Sequence, residues 1–116
     1  MPSDRNLAAL CDIRDSILLA VEWAGDHSAE TLAEDVKTLF AIVRCLEIVS
    51  EAARRLGDDV RSRNPGQPWR NIMGSGNIYR HDYDDVASRF VFATVRDHLP
   101  GLLAVVEAEI GGLSGG

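Results

Sequence analysis

The sequence has few of the side chains that bind metals or form disulfides. Its 116 residues include two cysteines and three histidines, and the histidines stand far apart, at 27, 81 and 98. Cys11 and Cys45 lie in apolar, helix-patterned segments and lack the paired spacing of a zinc site. Both are therefore predicted to be small buried side chains, and neither a metal site nor a cofactor is expected. The histidines at 27 and 98 are expected at the surface.

The sequence also lacks a long apolar run. A membrane-spanning helix needs about 20 consecutive apolar residues, and no stretch approaches that length, while the first six residues are polar. Hydrophobic residues make up 46% of the chain and charged residues 26%, which is the balance of a globular protein. We expect one cytoplasmic domain over residues 1–110, with 111–116 (GGLSGG) as a flexible tail.

Negative charge predominates, but it is unevenly distributed. The net charge of −6 argues against general affinity for nucleic acid, because neutralising phosphates requires clustered Lys and Arg. Residues 52–80, here called the basic island, contain six arginines and two aspartates, a charge of +4, so the rest of the chain carries −10. A solvated surface is the ordinary alternative for such a cluster. The arginines of the basic island are Arg54, Arg55, Arg61, Arg63, Arg70 and Arg80.

No segment alternates apolar and polar residues as a strand does, whereas apolar residues recur at steps of three and four. This periodicity predicts a first helix over about 4–24, with an apolar stripe that includes Leu18 and Val21. Thr31 and Glu34 fit a capping box at the start of a long second helix. The second helix has an apolar surface wide enough to be covered on two sides, by its own bundle and by a second subunit. The widening residues are Phe40, Ile42, Val49 and Leu56.

The sequence pattern of the second half of the chain predicts shorter helices. The connector RNPGQPW (63–69) forces a turn, and a short helix that follows it is predicted to end at Gly74 and Gly76. Periodicity resumes from Asn77 to Asp97, and a last helix is predicted to start near Pro100. The predicted fold is all-α, a four- to five-helix up-and-down bundle.

The stretch GSGNIYRHDYDD (74–85) holds the densest group of reactive side chains. Within one helix His81 and Asp85 would share a face, and an aspartate beside a histidine favours its charged form, as general acid–base chemistry requires. Arg80 supplies a cation for a phosphate, and Tyr83 an exposed phenol. A glycine-containing turn feeding the N-terminal end of a helix also favours an anion. For each of these side chains an ordinary surface role stays open.

Four segments in order resemble the HepT-like family of the HEPN superfamily. They are RCLEIVSEAARRL (44–56), PWRNIMG (68–74), GNIYRHDY (76–83) and DHLPGLL (97–103), and the resemblance extends from about Ser3 to Glu109. It implies a HEPN-type helical bundle, a homodimer, and a metal-independent endoribonuclease in which a 2′-hydroxyl of the RNA attacks the neighbouring phosphate.

The resemblance also implies roles for individual residues. His81, Tyr83 and Asn77 match the histidine, the tyrosine and the polar residue of the family motif, whereas Gly76 stands in place of its arginine. We expect His81 to move protons and Arg80, its neighbour, to hold the phosphate. Asn77 and Arg70 are the expected substrate-binding residues. The two glycines of the stretch would let the chain approach the substrate closely.

Relatives of this kind act as toxins beside a minimal nucleotidyltransferase antitoxin. The resemblance implies that this partner transfers AMP from ATP to Tyr83, which would block the RNA cleft. Two alternatives stay open. The protein is a non-catalytic binding module for such a transferase, as Gly76 in the arginine position favours, or a helical adaptor that works only through its dimer face, as the acidic net charge favours.

Overall fold

The computed structural model describes the backbone of residues 2–81 and 85–114 and the side chains of 4–75 and 88–113. In this part of the chain every regular element is helical, so the predicted all-α bundle is confirmed. A π-helical turn (Thr94–His98) joins the last two helices. The helices are α1 (Pro2–Ala24), α2 (Ala29–Glu34), α3 (Val36–Arg55), α4 (Asp58–Arg63), α5 (Trp69–His81), α6 (Asp85–Ala93) and α7 (Leu99–Ser114).

The core lies between α1, α3, α5 and α7. Helix α1 packs against α3 and α7, α5 packs against α3, and the short α2 packs against α6. Burial of large apolar side chains at these contacts is the main stabilising term of the bundle. The largest fully buried apolar side chains are Leu10, Ile13, Ile17, Leu32, Ile42, Val60, Val91, Val95 and Val106.

The apolar stripe of α1 is narrower than predicted. Leu18 and Val21 are 48% and 38% exposed, because the face that meets the core runs through Leu10, Ile13 and Ile17 instead. On α3 and its C-cap Leu56, three of the four widening residues are buried within the single chain, and Phe40 is 52% exposed.

The long second helix is divided at Asp35. This residue ends α2 and caps α3, where its carboxylate accepts bonds from the backbone N–H and the hydroxyl of Thr38 at 3.2 and 2.7 Å. A short acidic side chain competes in this way with the helical backbone. The predicted capping box is also wrong, since Ser28 is the cap and Thr31 is its partner, with mutual bonds of 3.2 and 2.8 Å.

Helix α5 runs without interruption from Trp69 to His81, so the predicted break at Gly74 and Gly76 is wrong. A glycine inside a helix costs about 0.5–1 kcal/mol relative to alanine. Tertiary packing outweighs that local cost, because Trp69 is buried and Ile72 and Met73 pack against the core.

The predicted new start near Pro100 is likewise replaced by continuous helix. The Leu99 N–H bonds to the Thr94 carbonyl, five residues back, and this wider turn precedes Pro100, which has no N–H to donate. Helix α7 then continues to Ser114, four residues into the segment 111–116 for which a flexible tail is predicted.

Candidate nucleic-acid interface

Residues 74–81 of the predicted reactive stretch lie within α5, and Asp85 is the first residue of α6. Asn77, Arg80 and His81 belong to α5, and their side chains, like the whole of Tyr83, lie outside the described residues. The predicted position at a helix N-terminus is wrong, because α5 starts eight residues before Asn77.

The unbroken α5 aligns three of the predicted site positions. Asn77 comes seven residues after Arg70 and His81 four residues later, so all three positions follow one side of the helix, over roughly 16 Å. Arg70 is exposed, and no residue of the described ranges bonds to its guanidinium. The predicted pairing of His81 with Asp85 falls on side chains that lie outside the described residues.

Two side chains of α3 fix α5 at Met73. The Met73 carbonyl oxygen accepts bonds from the Ser50 hydroxyl at 2.9 Å and from Arg54 Nη1 at 2.8 Å. One turn earlier, the buried Trp69 donates its indole N–H to the Asn64 carbonyl at 2.9 Å. These contacts set the rotation of α5 about its axis, and hence the direction of the face that carries positions 70, 77 and 81.

Two further arginines of the basic island tie helices together. Arg55 Nη2 lies 2.7 Å from Asp12 Oδ2 on α1, and Arg63 Nη2 lies 2.7 Å from Glu109 Oε1 on α7. The Asn64 amide donates to the other Glu109 oxygen at 3.1 Å. Hydrogen bonding by Arg63, assisted by Asn64, lowers the pKa of Glu109 below its usual range. Both arginines therefore have structural contacts of their own.

Arg61 closes the C-terminal end of α3. Its Nη1 donates to the carbonyls of Ala53 and Leu56 at the end of this helix, at 3.2 and 3.0 Å, and its Nη2 is ion-paired with Asp58. The Arg61 side chain is only 21% exposed. It is a structural residue rather than a surface cation.

An arginine-lined cleft opens where the start of α1 meets the end of α3 and the start of α4. Its volume is about 580 Å³, and its wall includes Arg5, Arg54, Arg55 and Arg61. We call it the arginine cleft. The contact that brings Arg5 there is made by its neighbour Asn6, whose side-chain oxygen accepts the Gly57 N–H at 2.9 Å. Sequence reasoning missed Arg5 because it lies 49 residues before Arg54, with no local signal to join them.

A second, mainly apolar groove of about 240 Å³ lies between α3, α5 and the π-helical turn. Its wall includes Leu46, Ile72 and Ser75, together with His98, which is exposed as predicted. His27 is partly buried rather than solvated, with Nδ1 2.9 Å from the Thr31 hydroxyl oxygen.

Metal ligands do not converge in the described part of the chain, where no group of three or more His, Cys, Asp or Glu side chains is placed to hold an ion. Cys45 is buried as predicted, and burial raises the pKa of its thiol, whereas Cys11 is partly exposed. No described helix combines the length and the apolar character that crossing a membrane would require.

The fold and the candidate site together define a class of protein, a helical bundle with a histidine-containing motif on α5. Comparison with known sequences identifies the family. The family model "Ribonuclease HepT-like" matches residues 13–109, which is most of the chain. The protein is therefore a member of the HepT-like ribonuclease family.

Curated relatives agree with this family. "Probable ribonuclease HepT" of Thermococcus cleftensis is 33% identical over 91 residues, covering 78% of this chain and 83% of its own length. "Putative RNase MJ1380" of Methanocaldococcus jannaschii is 29% identical over 100 residues, covering 86% of this chain and 92% of its own length. Among solved structures, none matches the chain significantly.

Proposed function

We propose that the protein is a metal-independent endoribonuclease that cuts RNA by attack of a 2′-hydroxyl on the adjacent phosphate. In this reaction the 2′-oxygen bonds to phosphorus and loses its proton to a base, while the bond to the 5′-oxygen breaks and that oxygen is protonated. The products carry a 2′,3′-cyclic phosphate and a 5′-hydroxyl. His81 moves the protons, and Arg80 stabilises the charge that develops on the phosphate oxygens.

The observation that carries this proposal is the family match over residues 13–109, joined to the geometry of α5. The unbroken helix aligns Arg70, Asn77 and His81 along one side, which suits a strand of RNA lying along the helix. Arg70 and Asn77 bind this substrate on the approach to His81. The exposed guanidinium of Arg70, which has no partner among the described side chains, supports this role.

The proposed regulation is that of a toxin and its antitoxin. A minimal nucleotidyltransferase partner transfers AMP to Tyr83, two residues after His81, and the added phosphate and adenosine block the RNA site. The protein acts as a homodimer. Support for the dimer comes from large apolar side chains that the single chain leaves exposed, a feature of interaction surfaces. They are Leu18, Leu19, Val21, Trp23, Val36, Phe40 and Phe90.

One observation favours a second function, that of a non-catalytic binding module which partners a minimal nucleotidyltransferase. Gly76 occupies the position of the motif arginine, so only Arg80 and Arg70 remain on α5 to hold a phosphate. The two functions differ in their products, because the binding module binds RNA or its partner and leaves RNA chains intact.

The test is RNA cleavage in EDTA by the parent protein and by His81→Ala, with His98→Ala as the matched control. His98 is an exposed histidine on the π-helical turn and has no part in the proposed chemistry. Loss of a general acid or base lowers the rate by about 10²–10⁴-fold. We expect such a loss for His81→Ala alone, with 2′,3′-cyclic phosphate ends in the parent reaction. Equal rates for the parent and His81→Ala would contradict the proposal, and intact RNA bound by the parent would favour the binding module.

A further inference from the structure

The arginine cleft carries an excess of positive charge on an acidic protein. Its wall contains four arginines and two aspartates, a net charge of +2, whereas the whole chain carries −6. Asp58 is ion-paired with Arg61, which itself caps α3. In the described part of the chain neither aspartate of the wall pairs with the other three arginines. These three are Arg5, Arg54 and Arg55.

Two guanidinium groups of the cleft are held by hydrogen bonds that use only some of their N–H donors. Arg54 donates one bond to the Met73 carbonyl at 2.8 Å, and Arg55 donates one to Asp12 at 2.7 Å. A guanidinium has five N–H donors, so each of these arginines keeps most of its donors for a ligand. Arg5 is exposed and has no partner among the described residues. Arg54 and Arg55, which are held by these bonds, lose less conformational freedom on binding than unbonded side chains do.

Planar guanidinium groups on the wall of one open cleft match the oxygens of a phosphate group. The cleft volume of about 580 Å³ is large for a single phosphate, and its wall is mostly polar and charged rather than apolar, which fits a stretch of sugar-phosphate backbone better than a stacked base.

One arginine of the cleft contacts the helix that carries the predicted reaction site. Arg54 donates to the Met73 carbonyl of α5 at 2.8 Å, and His81 is eight residues further along that helix, a rise of about 12 Å. None of the described α5 residues lines the cleft, so a phosphate held there is separate from the phosphate that is cut.

We propose that the arginine cleft is a second RNA-binding site, which holds a backbone phosphate of the same strand at a distance from the bond that is cut. This inference rests on the proposed ribonuclease function. It explains how an acidic protein with a single motif cation beside its histidine holds an RNA strand: the cleft anchors the backbone, and the α5 face presents the neighbouring nucleotides to His81.

The test compares Arg5→Gln and Arg55→Gln with the parent protein, and Arg14→Gln serves as the matched control. Arg14 is also on α1 but pairs with the adjacent Asp15, at 3.0 Å, and is not part of the cleft wall. The probe is a short single-stranded RNA methylated at every 2′-oxygen, which cannot attack its own phosphate. Its affinity is measured over about 50–200 mM salt, and cleavage of the unmethylated RNA is measured separately.

We expect Arg5→Gln to weaken binding without a change in thermal stability, because Arg5 is exposed and makes no hydrogen bond or ion pair with the described residues. Each lost phosphate contact lowers the slope of log affinity against log salt by about 0.7. Arg55→Gln is expected to lower the slope similarly, and Arg14→Gln to leave it unchanged. Inorganic phosphate and ATP are titrated as competitors, and weak competition by both is expected, because the site holds an extended backbone.

Three outcomes would overturn the inference. Parental salt slopes in both cleft variants, in a protein that cleaves RNA, would reject the cleft and leave the proposed function standing. Loss of ATP or phosphate binding in these variants, with RNA binding unaffected, would make the cleft a site for free phosphate compounds. A parent protein that neither binds nor cleaves RNA would reject both proposals.

Discussion

Replacing Gly74 by alanine tests whether α5 is the continuous helix that aligns the candidate site. Gly74 is the sixth of thirteen residues in α5 and is exposed. An added Cβ would meet no atom within 4 Å, and the glycine φ is not positive. Alanine therefore fits the native backbone without strain, and it reduces the conformational entropy of the unfolded chain.

The expected gain in the free energy of unfolding is about 0.4–1 kcal/mol. An unfolding entropy of about 2.1 cal/mol/K per residue, over 116 residues, gives roughly 0.24 kcal/mol/K, so the midpoint should rise by about 2–4 °C. Thermal unfolding followed by circular dichroism at one fixed protein concentration measures this shift, because a dimer makes the midpoint depend on concentration.

Gly25→Ala gives the opposite control for stability. Gly25 has a φ of +43°, and its added Cβ would lie 3.3 Å from the Glu22 carbonyl oxygen, so alanine there should destabilise the protein by about 1 kcal/mol. A fall in the midpoint for Gly74→Ala, comparable with that for Gly25→Ala, would refute the continuous helix.

Gly74→Ala also tests whether RNA contacts this side of α5. Position 74 lies between Arg70 and Asn77 on the proposed RNA-binding side of α5, so the added methyl group should raise the KM for RNA. Gly111→Ala is the matched control, because Gly111 is also helical with nothing within 4 Å of an added Cβ, but lies near the end of α7. An equal KM for both variants would show that RNA does not contact this side of α5.

Two further predictions concern Glu109 and Tyr83. Glu109→Gln should reduce stability at neutral pH by on the order of 1 kcal/mol, because the pKa of Glu109 is lowered from about 4.5 by its bonds to Arg63 and Asn64. This contribution is present above pH 4.5 and is lost as the pH falls through the native pKa, so the urea midpoints of the two proteins should converge in acid; a constant difference would contradict the assignment. Intact mass and peptide mapping of protein produced with its nucleotidyltransferase partner should show one or more AMP units on Tyr83, and an unmodified Tyr83 beside an active transferase would exclude this regulation.

Helical periodicity and the order of the motifs were sufficient to predict the fold class and the family. Because a helix that packs on a core must repeat its apolar residues every three or four positions, the sequence predicted the all-α fold and the extent of α1 closely. The order of segments around GNIYRHDY predicted the family, which the match over residues 13–109 confirms. These features depend on the chain alone, since each is repeated or contiguous along it.

Local sequence signals gave a wrong prediction where tertiary packing opposes a local preference. Gly74 and Gly76 predicted the end of a helix, but the bonds that Ser50 and Arg54 make to the Met73 carbonyl, with the burial of Trp69, hold α5 together. Each glycine costs only about 0.5–1 kcal/mol in a helix, and packing from a distant segment supplies more. This outcome places Arg70 in line with Asn77 and His81, which the predicted break did not allow.

The sequence by itself therefore determined the helical class, the family and the presence of a basic island. Only the tertiary structure decided which of its arginines remain available to a ligand. Arg61 and Arg63 bind carbonyl and carboxylate groups within the fold, while Arg5, from outside the island, joins Arg54 in the cleft. The physical reason is that long-range packing decides which groups come within bonding distance of a charged side chain. The order of residues along the chain does not give these distances.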